Sequence, residues 1–322
     1  MNSDRIMLSR VADSLFWMSR YLERAEHASR LLDVYLNFML EASDEVSERR
    51  LRDLQTMLLS EDVQDCAFDE CLRLLTFSEN HAASIIYNIT QARENARNVR
   101  EQISSEMWME INKLYLYIKN DEVARDWATA PHDFFIEVRE RSHLFQGVTD
   151  ATMMHNQGWH FIQIGRFLER SLNLLQLLQV QFADKSIIAA GLTIPEQYFN
   201  LVAILKSVTA FEAYCKVYNP NPQVHHILDF LLFNEEFPRS LRFCVERIRV
   251  SLNVLNEITQ RRQTTRLGRT VGRLASMLRY DEISDVQTLA VYLEGIKQQI
   301  GDCYDMLYES YINYSIESEL RA

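Results

Sequence analysis

The stretch WMSRYLERAEH at residues 17–27 contains the charged cassette RYLER at 20–24, and a near copy, RFLER, occurs at 166–170. Both copies lie in segments whose apolar residues recur at steps of three and four, which places them on one face of an α-helix. In the first segment these apolar positions are Val11, Leu15, Met18, Leu22 and Ala25. Two long helices with the same charged cassette indicate an internal duplication with a charged centre.

A second pair of segments supports the duplication. LLTFSE at 74–79 aligns with FLLFNE at 230–235, and a serine follows five positions after the glutamate in each, as Ser84 and Ser240. These segments are 156 residues apart (74 to 230) and the cassettes 146 apart (20 to 166). Two motifs therefore recur in the same order with only a small change in spacing.

The composition favours long helices with few loops. The 322 residues include only eight glycines and five prolines, whereas a β-rich protein needs many more turn residues. Hydrophobic residues make up 47% and charged residues 25%, as is typical of a globular protein. We therefore predict an all-α fold: a long-helix bundle in one domain over 1–322, built from two tandem helical repeats (about 1–128 and 129–322) with pseudo-two-fold symmetry.

Helix-start signals, turn residues and apolar spacing predict the individual helices. Long helices are expected over about 8–41, 80–119, 149–182 and 286–315, and shorter ones over 48–59, 66–77, 131–147, 196–214, 224–233 and 238–259. An arginine-rich segment, Arg261 to Arg273, is expected to lead into the last helix.

The sequence predicts a cytoplasmic protein that does not contact a membrane. The N-terminal residues lead into an amphipathic helix rather than a secretory signal, and no apolar run reaches the roughly 18 residues of a membrane span. The cysteines are odd in number and lack the spacing of zinc ligands, so we expect reduced thiols that mostly pack in the core. They are Cys66, Cys71, Cys215, Cys244 and Cys303.

The charge is unevenly distributed. The net charge is −11, yet the window 239–279 has ten arginines against Glu246 and Glu257. Only six of the 34 basic residues are lysines, and arginine suits planar contacts with carboxylates or phosphates. The Arg261–Arg273 run lacks interleaved aromatic residues and the chain is acidic overall, so we expect it to face solvent or an acidic partner surface rather than nucleic acid.

The cassettes allow two interpretations. Their charges could form a structural ion network that joins the long helices, in which the arginines satisfy buried glutamates. Alternatively they could line a polar pocket, in which spare arginines hold a carboxylate or phosphate and a glutamate acts as general base. The candidate bases are Glu23 and Glu169, and the candidate ligand-binding residues are Arg20, Arg24, Arg93, Arg97, Arg166 and Arg170.

A di-metal site is a further possibility for a helix bundle, but the spacing does not favour it. Such sites usually take Glu-x-x-His from each of two helices. Here Glu23 and His27 are four apart, and the second cassette has Asn173 where the first has His27. We therefore expect no metal and no cofactor.

Several motifs in order resemble the bacterial alpha-E family of all-helical proteins. They are MLSRVADSLFW at 7–17, ARENAR at 92–97, FPRS at 237–240 and the two cassettes. The resemblance covers nearly the whole chain. It implies a genomic setting beside an ATP-grasp-like ligase and a transglutaminase-like peptidase, and hence a role in peptide ligation or modification.

Three functional hypotheses follow. The first is an accessory component of such a system that binds a partner protein or its peptide substrate through the Arg/Glu-rich centre. The second is an enzyme in its own right, with Glu23 or Glu169 as general base. The third is a purely structural scaffold.

Overall fold

A computed structural model describes residues 7, 9–39, 44–59, 67–127, 129–182, 194–259, 266–286 and 288–312. Within these residues it contains fourteen α-helices and no β-strand, so the all-α prediction is confirmed. The helices are α1 Ser9–Met39, α2 Asp44–Leu58, α3 Phe68–Phe77, α4 Ile85–Asn98, α5 Ser105–Ile118, α6 Asp121–Trp127, α7 Pro131–Thr152, α8 Gln157–Phe182, α9 Ile194–Ser207, α10 Phe211–Val217, α11 Val224–Phe233, α12 Leu241–Ile258, α13 Arg266–Tyr280 and α14 Leu289–Leu307.

The two cassette helices form the centre of the molecule. α1 packs against α8, α4 and α7, and α8 also packs against α12 and α14. Because neighbours cover them on several sides, both helices bury polar positions as well as apolar ones along most of their length. Among the described helices, none combines the length and the apolar character needed to cross a membrane.

A close approach of backbones sets how α1 and α8 lie against each other. A Cβ atom built on Gly165 would lie 2.5 Å from the carbonyl oxygen of Phe16. Ser19 Oγ donates a hydrogen bond to the carbonyl oxygen of Ile162 at 2.8 Å on the same contact surface. The two helices therefore touch within the one turn that precedes each cassette, and this places the cassettes opposite each other.

The segments LLTFSE and FLLFNE have the same local structure. The first ends α3 at Phe77 and the second ends α11 at Phe233. Each then leads to a serine N-cap, Ser84 for α4 and Ser240 for α12. Each serine hydroxyl donates to a carbonyl six residues back and accepts from the amide three residues ahead, at 3.1 Å in both cases. The shared sequence pattern thus encodes a shared turn between helices.

The predicted helix over 80–119 is wrong, because two helices occupy it. α4 ends at Asn98, a 3₁₀ turn follows at Arg100–Gln102, and α5 begins after Ser104. Ser104 caps α5 by accepting a hydrogen bond from the Met107 amide at 3.1 Å. The break lets α5 fold back onto α4. It also separates Arg100, in the 3₁₀ turn, from Arg93 and Arg97 in α4, although one helix over 80–119 would have contained all three.

The helix predicted to end near Gly147 continues to Thr152. The break falls instead before α8, where the side chain of Asn156 accepts a hydrogen bond from the Gly158 amide at 3.0 Å and caps the helix. An exposed glycine inside a helix costs only about 1 kcal/mol relative to alanine, so it does not have to end one.

The helix predicted over 196–214 is divided into α9 and α10 at Thr209. This threonine has a φ of 51°, and the amides of Thr209 and Ala210 donate to the carbonyls of Lys206 and Leu205 at 3.1 and 2.7 Å. These are the hydrogen bonds of a Schellman helix end, which usually has glycine at the left-handed position. Because threonine occupies this position, no glycine in the sequence marks the break.

Helix α13 occupies much of the segment that we expected to be an arginine-rich connection. Leu267, Val271, Leu274 and Leu278 are buried, at steps of four, three and four, and pack the helix against α12 and α14. Arg261 and Arg262 lie outside the described residues. The described arginines Arg266, Arg269 and Arg273 lie on the exposed face of α13.

Candidate functional site

The cassette charges pair between α1 and α8 rather than within one helix. Glu169 of α8 accepts hydrogen bonds from Arg20 Nε at 2.7 Å and Arg24 Nε at 2.6 Å, both from α1. In the opposite direction, Glu23 of α1 accepts from Arg170 Nε at 2.7 Å and Arg170 Nη2 at 2.8 Å. Each helix therefore provides the carboxylate that the arginine of the other helix needs.

Three residues that were not among the candidate site residues complete this cluster. Arg239, just before α12, donates to Glu23 Oε1 at 3.2 Å and to Glu26 Oε2 at 3.0 Å, and Glu26 also pairs with Arg30. Glu26 lies in the stretch 17–27 and Arg239 in the FPRS motif at 237–240, so the sequence contained a signal for both. We name the Arg–Glu network by its members: Arg20, Glu23, Arg24, Glu26, Arg30, Glu169, Arg170 and Arg239.

The carboxylates of the network are closed to solvent. Glu23, Glu26 and Glu169 are exposed by 1%, 0% and 3%, and Arg170 and Arg239 are also buried. Burial acts to raise the pKa of each carboxyl group, but two arginines beside each one outweigh it, so all three pKa values lie below the usual value. At neutral pH these glutamates are ionised and fully engaged, which is the arrangement that a buried ion network requires.

The network continues along α1 to α7. Gln146 Nε2 donates to Glu23 Oε2 at 3.3 Å, and His143 Nε2 lies 3.3 Å from Glu26 Oε1. Two turns further along α1, Asp33 pairs with Arg139 at 2.6 Å and with His132. Charged contacts therefore join α1 to α7 as well as to α8.

Arg166, the counterpart of Arg20 in the second cassette, is placed differently. It is buried, and its Nη1 lies 3.8 Å from Asp150 Oδ2 on α7. Burial and the neighbouring Arg170 lower its pKa to about 10. Arg166 therefore stays charged at neutral pH, with its carboxylate partner on α7 rather than α1.

The structure does not place Arg93 and Arg97 with the cassettes. Both pair with Glu94, at 2.6 Å each, and Arg93 lies over the ring of Tyr115 at 4.6 Å from its centroid. Arg93 Nε also donates to Asn112 on α5 at 3.0 Å. These contacts hold α4 against α5, so the single polar centre expected from the sequence is two separate groups.

A cleft opens beside the Arg–Glu network. Two adjoining cavities of about 350 and 380 Å³ share the side chains of His27, Met57, Leu58 and Asn173. A void of about 10 Å³ lies deeper, where His27 and Asn173 meet Glu23, Arg170 and Arg239. We call the two adjoining cavities the His27 cleft. Their remaining lining residues are Arg24, Ala28, Thr56, Leu59, His81, Ala82, Ala83, Leu172, Gln176 and Lys297.

The floor of the cleft is formed by equivalent positions of the two cassettes. His27 lies four residues after Glu23, and Asn173 lies four residues after Glu169. Both face the cavities on one side and the network on the other. The described part of the chain contains no group of three or more His, Cys, Asp or Glu side chains placed to hold a metal ion.

The titration of His27 gives a testable pH dependence. Burial lowers its pKa from 6.5 to about 4, with Glu26 opposing the shift. In the unfolded chain it titrates near 6.5, so between pH 6.5 and 4 the unfolded state binds more protons and stability falls as the pH falls. A gap of about 2.5 pH units corresponds to about 3 kcal/mol.

When the pH falls from 7 to 4, the free energy of unfolding of the wild type should therefore drop by about 2–3 kcal/mol more than that of His27→Gln. Urea unfolding at a series of pH values measures this difference. Asp53, whose pKa burial raises to about 6, acts with the opposite sign, but it is present in both proteins and cancels. Equal pH slopes would show that His27 is not held neutral by burial.

The fold and the site define an all-helical domain whose centre is built from Glu-Arg pairs. The Alpha-E family, described as a predicted alpha-helical domain with a conserved ER motif, matches residues 7–312, and the chain belongs to this family. Within that match, Glu23-Arg24 and Glu169-Arg170 each have the sequence Glu-Arg.

Relatives in mycobacteria are uncharacterized. Proteins of Mycobacterium bovis and of two strains of Mycobacterium tuberculosis are 27% identical to this chain over 337 aligned positions, which cover 92% of it. The match covers 36% of each relative, so the chain spans about a third of their length. No solved structure matches the chain significantly.

Proposed function

We propose that this protein is an accessory helical component of a peptide-ligation or peptide-modification system, and that Glu23 and Glu169 serve its structure rather than a reaction. The observation that carries the structural role is the burial of the network's three carboxylates. A general base must reach the proton that it removes. Both glutamates are buried and are already bound by two arginines each, which supports the structural interpretation of the cassettes.

The proposed partners are an ATP-grasp-like ligase and a transglutaminase-like peptidase, in the cytoplasm. They come from the family resemblance. The length of the mycobacterial relatives is consistent with this setting, because there the matched region occupies only about a third of a longer chain. We therefore propose a helical domain that works beside other protein domains.

The partner surface that we propose is the exposed face of α13. Arg266, Arg269 and Arg273 are exposed, and no ion pair with a described residue satisfies them. An exposed row of arginines suits an acidic protein surface, where charge complementarity speeds association.

We also propose that two repeats related by a pseudo-two-fold axis underlie the fold, with their boundary between α7 and α8. α1 packs against α4 and α7 much as α8 packs against α12 and α14. The pairs Arg24–Glu169 and Arg170–Glu23 are reciprocal, as such an axis requires. This boundary assigns α7 to the first repeat, whereas a boundary at residue 128 assigns it to the second.

The proposal predicts a specific capture result. An affinity-tagged full-length chain incubated with lysate of its source cell should retain the ligase-like or the peptidase-like protein, identified by mass spectrometry. Tagging that protein should retain the chain in return. We expect Arg269→Gln combined with Arg273→Gln to reduce capture several-fold, because about 1 kcal/mol of interfacial charge pairing corresponds to about a fivefold change.

Arg97→Gln is the control, since Arg97 is also exposed but lies on α4 and pairs with Glu94. It should not change capture. Absence of both partners in both directions would contradict the proposal. Turnover by the isolated chain that is lost in Glu23→Gln while the fold is retained would instead favour the enzyme hypothesis.

A further inference from the structure

The floor of the His27 cleft contains polar groups that no described residue satisfies. His27 is 6% exposed, and its ring makes no hydrogen bond within the described part of the chain. Asn173 Nδ2 is buried and likewise lacks a partner there. Leaving a buried polar group unpaired costs about 1–3 kcal/mol. Asn173 Nδ2 is such a group, and the ring of His27 faces the same cleft, so a ligand that bonds to both would satisfy them.

The charge of the cleft is positive. Arg24 uses Nε and Nη2 to bind Glu169, and its Nη1 has no acceptor among the described residues. Lys297 Nζ is held only by neutral amide oxygens, of Gln176 at 2.7 Å and Gln179 at 3.0 Å. No described lining residue is an aspartate or glutamate. The cleft therefore favours a negatively charged group.

The start of α4 adds to this preference. Ala82 and Ala83 line the cleft directly before the N-cap Ser84. The first turn of a helix carries partial positive charge, which attracts anions. By contrast, Met57 and Leu58 form an apolar wall, so the ligand should combine an anionic group with an apolar body.

We infer that the His27 cleft binds an organic carboxylate, and that a short peptide with a free C-terminal carboxylate and an apolar last residue fits it best. Lys297 would hold the carboxylate, and Arg24 adds positive charge in the adjoining cavity. His27 and Asn173, which line both cavities, would bond to the peptide amides. A doubly charged phosphate suits clusters of arginines, whereas here one guanidinium nitrogen is free and the wall is apolar. The inference rests on the cleft alone and does not depend on partner binding at α13.

Isothermal titration calorimetry with defined peptides tests the inference. The probes are Ala-Ala-Leu as the free acid, the same tripeptide with an amidated C-terminus, free leucine and inorganic phosphate. We expect the free acid to bind and amidation to weaken binding about tenfold or more, because charge-assisted hydrogen bonds are lost. If free leucine binds as tightly as the tripeptide, the result would support a carboxylate site and would identify its ligand as a free amino acid.

Two variants place the binding in the cleft. Asn173→Leu and Lys297→Gln should each weaken binding of the free acid by about five- to tenfold, since each removes one polar contact. Lys216→Gln, at an exposed lysine on α10, is the matched control and should bind normally. Circular dichroism verifies that each variant is folded.

Three results would overturn the inference. The first is no detectable binding of the free acid at millimolar concentration. The second is tighter binding of phosphate than of the free acid, which would exclude a carboxylate as the preferred ligand. The third is binding that neither cleft variant changes, which would place the ligand elsewhere. None of these results depends on whether a ligase or a peptidase is captured.

Discussion

Replacing Glu23 with glutamine should lower the free energy of unfolding by about 3–5 kcal/mol. The change keeps the shape of the side chain but removes the charge that Arg170 and Arg239 share. Both arginines are buried, at 7% and 8% exposure, so neither can turn to water for compensation. Breaking one partner of a buried ion pair is costly because it leaves an unbalanced charge in a poorly solvated site. Urea denaturation followed by circular dichroism measures the loss.

Glu94→Gln is the matched control. Glu94 also pairs with two arginines, Arg93 and Arg97, but its side chain is 33% exposed. Because water screens such pairs, we expect a loss below about 1 kcal/mol. If both replacements lower the free energy of unfolding by the same amount, the carboxylates of the Arg–Glu network are not closed to solvent.

A second variant distinguishes the network from a general effect of the mutation. Arg170→Met in the Glu23→Gln background removes one of the stranded charges and replaces it with an apolar side chain. The double variant should be more stable than the sum of the two single losses predicts, by at least about 1 kcal/mol. A purely additive result would show that the two residues are not coupled.

The sequence indicated the charged centre but not the pairing within it. Spacing within a helix suggested that Arg20, Glu23 and Arg24 share a face. The arginine partners of Glu23 instead are Arg170 of α8 and Arg239, more than 140 residues further along the chain. Which arginine meets which glutamate depends on how α1 and α8 are aligned, and this is decided by tertiary contact rather than by local sequence.

Other differences have separate physical causes. Helix α9 ends just before Thr209, a left-handed residue that is not glycine, so the local sequence did not predict this end. The helix α13 did have a signal, the spacing of Leu267, Val271, Leu274 and Leu278, but the arginines between them dominated our interpretation. Arg93 and Arg97 are of the right type for the cassette centre, yet their helix turns them toward α5. Residue type predicts the chemistry of a group but not the direction in which it points.

The alignment of α1 and α8 can itself be tested at Gly165, where alanine should lower the free energy of unfolding by about 3 kcal/mol or more. The added Cβ would lie 2.5 Å from the carbonyl oxygen of Phe16, which is backbone and cannot rotate away. The helices must therefore separate, and this would also pull the arginines of α1 away from Glu169.

Gly147→Ala is the matched control with the opposite expected sign. Gly147 also lies inside a helix, α7, but a Cβ there meets nothing within 4 Å. Alanine should therefore stabilise the protein by about 0.5–1 kcal/mol through its higher helix propensity. Thermal and urea unfolding of both variants measure the contrast. If Gly165→Ala were neutral or stabilising, the backbones would not touch at Phe16, and the alignment that pairs Arg20 and Arg24 with Glu169 would need another cause. A loss at Gly165 together with a gain at Gly147 would show that one missing side chain sets the spacing on which the Arg–Glu network depends.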